Sequence, residues 1–171
     1  MITVHADGWL DAGADVIRCA LGVNGVAAAS AKREGDGCTP VGVWPFRRVL
    51  YRPDRVERPR TRLATMPLRP EDGWCDDPAD AAYNRAVTLP YPASAEALWR
   101  ADELYDVIVV LGHNDDPVIA AAGSAIFLHV ASAGYAPTQG CVAVSRVDLG
   151  KVLAAVGPGD ALAIQLAPLR P

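Results

Sequence analysis

The chain lacks the features that mark several large classes of protein. Nowhere in its 171 residues is there a run of about 18 apolar residues, the length that spans a bilayer, so no membrane-crossing helix and no membrane partner are expected. Met1 to Leu10 reads MITVHADGWL, with neither a basic segment nor a continuous apolar stretch, and so does not read as a secretory signal peptide. Taken as the native start, it predicts a cytoplasmic protein; a chain trimmed of its leader would be periplasmic. There is no excess of positive charge: the formal net charge of -4 gives no reason to expect nucleic acid as a partner. Cys19, Cys38, Cys75 and Cys141 show no CxxC spacing, so neither a zinc site nor a disulfide framework is indicated. No cofactor is expected.

What is present describes an ordinary globular chain, with 51% hydrophobic and 21% charged residues. Its 18.0 kDa suit one domain over residues 1–171. Short apolar runs separated by turn residues predict a mainly β fold with two short helices. Strands are expected over ITVHA, DVIRCALG and VAAA, the last two joined by a hairpin at Asn24-Gly25. Val43 to Val49 resumes strand character, with Pro45 marking an edge or a bulge. Asp106 to Gly112 is the strongest strand signal and is expected at the centre of the core. Ser94 to Leu104 and Arg146 to Ala155 carry helical spacing, and Ala161 to Leu166 reads as a last strand.

Between Thr65 and Pro92 the chain is rich in proline and aspartate and has little periodicity, which is the character of a binding loop. Trp74, Tyr83 and Arg85 are the candidates there for a substrate-facing wall, and a loop pinned by a buried aromatic is an equal alternative. Seven arginines between Arg47 and Arg62 mark either a solvated face or a grip for substrate carboxylates, which a planar guanidinium suits. His113, Asp115 and Asp116 lie in one turn, where adjacent residues rarely converge on an ion, so no metal is expected there, and Asn114 and Asp116 are expected to hydrogen-bond the turn itself.

The most informative stretch is GSAIFLHVASAGYAPTQGCVAVSRVDL, from Gly123 to Leu149. In a strand Ile126, Leu128 and Val130 share one face while Phe127 and His129 share the other. In the next apolar run Cys141 and Ala143 point away from Val142 and Val144. Two strands can therefore bring an imidazole and a thiol to one surface, where the base can activate the nucleophile. Gly140 permits a tight bend that would turn amides towards an oxyanion. Taken alone, the pair better suits a buried cysteine and a satisfied strand histidine.

This segment resembles the catalytic motif of the L,D-transpeptidase catalytic domain, the YkuD-like family: a histidine at a strand end, a variable loop, then Ser/Thr-x-Gly-Cys, here His129 and Thr138-Gln139-Gly140-Cys141. Lys32 to Gly42, reading KREGDGCTPVG, is similar to the family's other recurrent stretch, and the resemblance covers roughly Ala31 to Leu149. It implies a β-sandwich in which the Lys32 to Gly42 loop borders the cleft. His129 would be the base and Cys141 the nucleophile, with the Val130 carbonyl orienting the imidazole, amides around Gly140 forming the oxyanion hole, and Thr138 and Gln139 beside substrate. The implied donor is a peptidoglycan stem tetrapeptide, cleaved between its third residue, usually diaminopimelate, and terminal D-alanine. Carbapenem-type inhibitors are expected to acylate Cys141, and a lowered thiol pKa predicts rapid alkylation there.

A chain without a leader fits D-alanine trimming during murein recycling, so an L,D-carboxypeptidase is the first expectation. An L,D-transpeptidase forming 3-3 cross-links or exchanging D-amino acids is the alternative, and a catalytically silent wall-peptide binding module a third. Two positions depart from the commonest family motif: Gln139 before the glycine, and Ala143 where an arginine or asparagine is usual. Arg146 or a guanidinium from the Arg47 to Arg62 run is the candidate substitute.

Overall fold

The computed structural model describes residues 2–169. Its strands are β1 (Ile2–His5), β2 (Trp9–Asp11), β3 (Val16–Ala20), β4 (Val26–Ala28), β5 (Thr39–Tyr51), β6 (Thr65–Pro67), β7 (Asp72–Cys75), β8 (Ala86–Thr88), β9 (Ala95–Ala97), β10 (Val107–Leu111), β11 (Phe127–Val130), β12 (Val142–Val144) and β13 (Ala161–Gln165), with helix α1 (Arg146–Ala155) between the last two. The fold is mainly β, as expected, and consistent with the family's sandwich.

The large sheet runs in the order β10-β11-β12-β3-β2-β1-β13-β5-β4, and a further pairing of β10 with β5 closes it on itself. Two strands turn the corners. β3 pairs with β2 over Val16 to Arg18 and with β12 over Cys19 and Ala20. β5 pairs with β13 over Gly42 to Pro45 and with β10 from Phe46 onward, with a register shift that skips Arg47. Strands that change sheets at a bulge are how stacked β layers are joined; the bulge falls at Arg47, and Pro45, two residues earlier, pairs in register with Ala161.

Period-two alternation divides the core. In β10, Val107, Val109 and Leu111 point into the closed sheet, where they meet Leu10, Leu128, Val142, Val144 and Leu162. Ile108 and Val110 point outward and pack with Phe127, Trp74, Leu98, Tyr105 and Cys141 in a second cluster. That cluster is capped by a small sheet, β8-β7-β9. Trp74 and Tyr105 both meet the Phe127 ring edge-on, at 5.2 and 6.0 Å.

Three expectations are corrected. Ser94 to Leu104 is not a helix: Ala95–Ala97 pairs with β7, opposing Glu96 to Trp74, and Leu98 is buried in the second cluster. An isolated helix of that length is marginal, and the open edge of β7 together with burial of Leu98 outweighs the propensity. The Asn24-Gly25 turn forms, with Gly25 at φ +77, but joins no hairpin. The end of β3 is already paired with β12, so β4 runs parallel to β5 over Thr39 to Val41. The stretch from Thr65 to Pro92 also contains β6, β7 and β8, whose three- and four-residue lengths hide their periodicity. The second predicted helix is found over the expected residues. Ser145 caps it, accepting from the Asp148 N–H at 3.1 Å, and Leu149, Val152 and Leu153 face the core.

Candidate active site

β11 and β12 run parallel with His129 opposite Ala143, so Cys141 lies two residues back on the same face as His129. Adjacent strands and a two-residue offset put the two α-carbons about 8 Å apart. A parallel pair needs a long crossover, and residues 131–141 supply it. That crossover is anchored where Thr138 bridges to Gly22 and its N–H donates to the Leu21 carbonyl at 2.9 Å. Cys141, Ala143 and His129 all line one cavity of about 520 Å³, while Val142 and Val144 point into the core.

The two groups are held neutral. His129 Nδ1 lies 2.9 Å from the Val130 carbonyl. A carbonyl can only accept, so Nδ1 carries the proton and Nε2 the lone pair, which is the tautomer a general base needs. Burial lowers the His129 pKa below its ordinary value, and contact with the Val130 and Leu104 carbonyls only partly opposes this. The Cys141 thiol donates to the Ala125 carbonyl at 3.2 Å and accepts the Phe127 N–H at 3.4 Å, and no hydrogen bond joins it to His129. Burial, with the Glu96 carboxylate adding to it, pushes the thiol up to about 12. The expected lowered thiol pKa is therefore corrected: without substrate this is a protonated thiol beside a neutral imidazole, not a thiolate–imidazolium pair.

The Lys32 to Gly42 loop buttresses the nucleophile. Burial works against the charge of Asp36, but hydrogen bonds from Lys32 Nζ and from the Arg33 and Cys38 N–H groups outweigh it and hold the carboxyl below its usual value. The loop so fixed delivers Thr39, fully buried, whose hydroxyl accepts the Gly22 N–H at 2.8 Å and reaches the Cys141 carbonyl at 3.4 Å. Thr138 Oγ1 donates to the same carbonyl at 2.7 Å. Gly140 adopts φ +133, and a β-carbon there would stand 2.9 Å from the Cys38 carbonyl oxygen. In this state the Gly140 N–H donates to Thr138 Oγ1 at 3.1 Å, so it is not the open oxyanion donor that was expected.

Thr138 and Gln139 line the cavity; the other predicted contacts do not. Trp74 is buried, its indole N–H donating to Asn84 at 2.9 Å. Tyr83 is buried against Glu34 and accepts the Gly123 N–H. Arg85 lies on the surface and donates to the Asp115 carbonyl. Arg146 pairs with Asp106 at 2.5 Å in a separate surface depression. From the arginine run, Arg47, Arg52 and Arg55 pair with Asp115, Asp54 and Asp106. His113 is buried with Nε2 3.1 Å from the Ala122 carbonyl, and Asn114, not Asp116, ties the following turn together through Ile119 and Gly123.

Sequence reasoning missed Glu34, Asp76, Glu96, Arg100, Tyr105 and Ser124, all of which line the cavity. Glu96 and Arg100 were hidden by the mistaken helix. Glu34 belongs to the recognised loop, and its position there was the one available signal. Arg100 is the guanidinium that reaches the cavity, although Asp102 grips its Nε and Nη2 at 2.8 and 2.5 Å.

A closed β sandwich that presents a buried cysteine and a tautomer-fixed histidine in one cleft has the build of a cysteine acyl-transfer enzyme. The chain belongs to the L,D-transpeptidase catalytic domain family, YkuD, whose sequence model matches residues 3–164. The family's chemistry is cysteine-dependent peptidase and transpeptidase action on peptidoglycan peptides, and that is the class of this protein. No curated protein and no solved structure matches the chain.

Proposed function

We propose that Cys141 and His129 cleave the bond between the L-centre of the third stem residue and D-alanine in a peptidoglycan tetrapeptide, with water as the acyl acceptor. The observation that carries this reading is the His129 tautomer, which keeps the lone pair on Nε2 of a residue that lines the same cavity as Cys141. Substrate entering the cavity displaces the thiol from the Ala125 carbonyl. His129 Nε2 takes the thiol proton as sulfur attacks the peptide carbonyl, and returns it to the D-alanine nitrogen as the C–N bond breaks. A thioester remains. Water then attacks it, its proton passing through His129 to the departing sulfur. Charge separates only during reaction, which suits a site whose surroundings favour both neutral forms. The Gly140 N–H becomes an oxyanion donor by exchanging Thr138 Oγ1 for the developing negative charge.

The size of the cavity supports water as acceptor. About 520 Å³ matches one short peptide, and water needs no binding site of its own beside it. Trimming recovered tetrapeptides in murein recycling is the role that goes with this reaction. The second reading, transfer to an amine, is favoured by the carboxylates in the cavity wall. Mass spectrometry of a disaccharide-tetrapeptide incubated with the protein, with Cys141→Ala as control and a D-amino acid in a parallel tube, separates them. Loss of one D-alanine without dimer or exchange supports the hydrolase, and a dimer or exchanged peptide supports the transferase. Absence of any Cys141-dependent product sinks both.

A further inference from the structure

The wall of the catalytic cavity has a charge that the donor peptide alone does not explain. Glu34, Asp76 and Glu96 line it together with a single guanidinium, that of Arg100, already gripped by Asp102. His129 adds no positive charge while burial keeps it neutral. A stem tetrapeptide brings carboxylates of its own, and a wall of this sign repels them. The cation a stem of this kind offers is a primary ammonium, on a diamino third residue or on an incoming acceptor.

The hydrogen bonds of the wall point the same way. Glu96 Oε1 accepts the Tyr105 hydroxyl at 2.6 Å, while its Oε2 has no donor among the described residues. Asp76 Oδ1 is buried without a partner. Ser124, only 8% exposed, lines the cavity, and its hydroxyl has the Tyr83 hydroxyl as neighbour but no partner in good hydrogen-bond geometry. Buried acceptors left unmet in a native fold need an explanation, and an ammonium carries three donors and no acceptor.

We propose that Glu34, Asp76 and Glu96 form a subsite for a primary ammonium group of the peptide, with Glu96 the specificity-determining carboxylate. The identity of that peptide rests on the function proposed above; the charge preference of the subsite does not. Occupation of the subsite also bears on the nucleophile. Glu96 is one of the influences that keep Cys141 protonated, so a cation beside it eases loss of the thiol proton. Substrate of the right charge thus helps to activate the cysteine that attacks it.

The test needs no peptidase activity. Methanethiosulfonates transfer their thioalkyl group to a cysteine, forming a mixed disulfide and releasing methanesulfinate. Reaction of Cys141 with the 2-aminoethyl (cationic) and 2-sulfonatoethyl (anionic) reagents, located by peptide mass mapping, gives a ratio of rates from which the thiol's own reactivity cancels. Glu96→Gln keeps the shape and the acceptor for Tyr105 but removes the charge. The cation-to-anion ratio is expected to fall about tenfold, with Asp76→Asn moving it in the same direction. An unchanged ratio in both folded variants overturns the proposal.

Calorimetry on Cys141→Ala protein then locates the ammonium, using a tetrapeptide with its side-chain amine free or acetylated. Tighter binding of the free amine, lost in Glu96→Gln, assigns the subsite to the donor. Equal binding of the two, with the rate ratio still shifted, assigns it to the acceptor amine. A shifted ratio with neither peptide bound upholds the ammonium subsite and overturns the peptidoglycan assignment instead.

Discussion

Thr39 and Cys141, 102 positions apart, meet where the Thr39 hydroxyl lies 3.4 Å from the Cys141 carbonyl oxygen while accepting the Gly22 N–H at 2.8 Å. The two recurrent sequence stretches are therefore one physical unit: the first holds the backbone of the second. Thr39→Val keeps the volume but strands a buried N–H and removes one donor from the Cys141 carbonyl. A stability loss of about 1–3 kcal/mol is expected, read as a lower denaturation midpoint in urea, together with reduced kcat. Unchanged values of both would show that Thr39 is not a support.

Gly140→Ala tests the bend before the nucleophile. At φ +133 an L side chain is strained, and the added β-carbon would press on the Cys38 carbonyl oxygen at 2.9 Å, a backbone atom that cannot swing aside. The Cys38 backbone and Cys141 would be forced apart. Expected are a lower thermal midpoint, by about 1–3 kcal/mol of stability, and near-complete loss of turnover. An alanine variant as active as the parent would mean that the loop relaxes freely.

Much of this was legible in the chain. Alternation assigned Ile126, Leu128 and Val130 to one face and Phe127 and His129 to the other, because period two is fixed by strand geometry and survives in any sheet. The helix at Arg146 was legible for a similar reason, since the spacing of Leu149, Val152 and Leu153 is local. The cavity wall was not. Glu96 and Arg100 lie on and just after β9, which exists only because β7 offers it an edge, and a three-residue strand is too short to show a period. Trp74 and Tyr83 stayed open for the converse reason: aromatics in a proline-rich stretch suit either a binding surface or a pinned core, and only tertiary packing decides for the core, Trp74 within the second cluster and Tyr83 against Glu34 and Gly123.

Arg146→Ala separates stability from catalysis. Its guanidinium grips Asp106 at 2.5 Å, and that carboxylate, with its side chain 2% exposed, keeps Arg55 at 3.1 Å as its other partner. Removing Arg146 leaves a buried charge half-satisfied, so a loss of about 1–3 kcal/mol is expected. Because Arg146 lies outside the cavity, kcat/KM is expected to stay within about twofold of the parent. A tenfold fall in kcat/KM with stability unchanged would return Arg146 to the substrate.

A neutral Cys141–His129 pair makes a kinetic signature. Alkylation of Cys141 by iodoacetamide in the free protein should be slow at neutral pH and should climb with pH without levelling below about 11, because burial has pushed the thiol up to about 12. The acid limb of kcat/KM should fall below pH 6.5, the ordinary histidine value, since burial lowers the His129 pKa. An alkylation rate already on a plateau at pH 7 would indicate a thiolate–imidazolium pair and refute the neutral resting state.

The same burial makes stability depend on alkaline pH. Cys19 and Cys141 each titrate near 9.0 when unperturbed and are pushed up to about 12 in the fold, chiefly by burial. Between those values the folded chain holds more protons than the unfolded one, so stability falls as pH rises. It is fully present below pH 9 and declines by about 1.4 kcal/mol per pH unit for each thiol as the pH climbs towards 12. Buried Cys75, Tyr83 and Tyr105 are raised in the same direction, so thermal midpoints measured from pH 8 to 11 should drop, and less steeply in Cys141→Ala, which lacks one of these titrations. Parallel slopes for the parent and the variant would mean that Cys141 ionises in the folded protein as readily as in the unfolded chain.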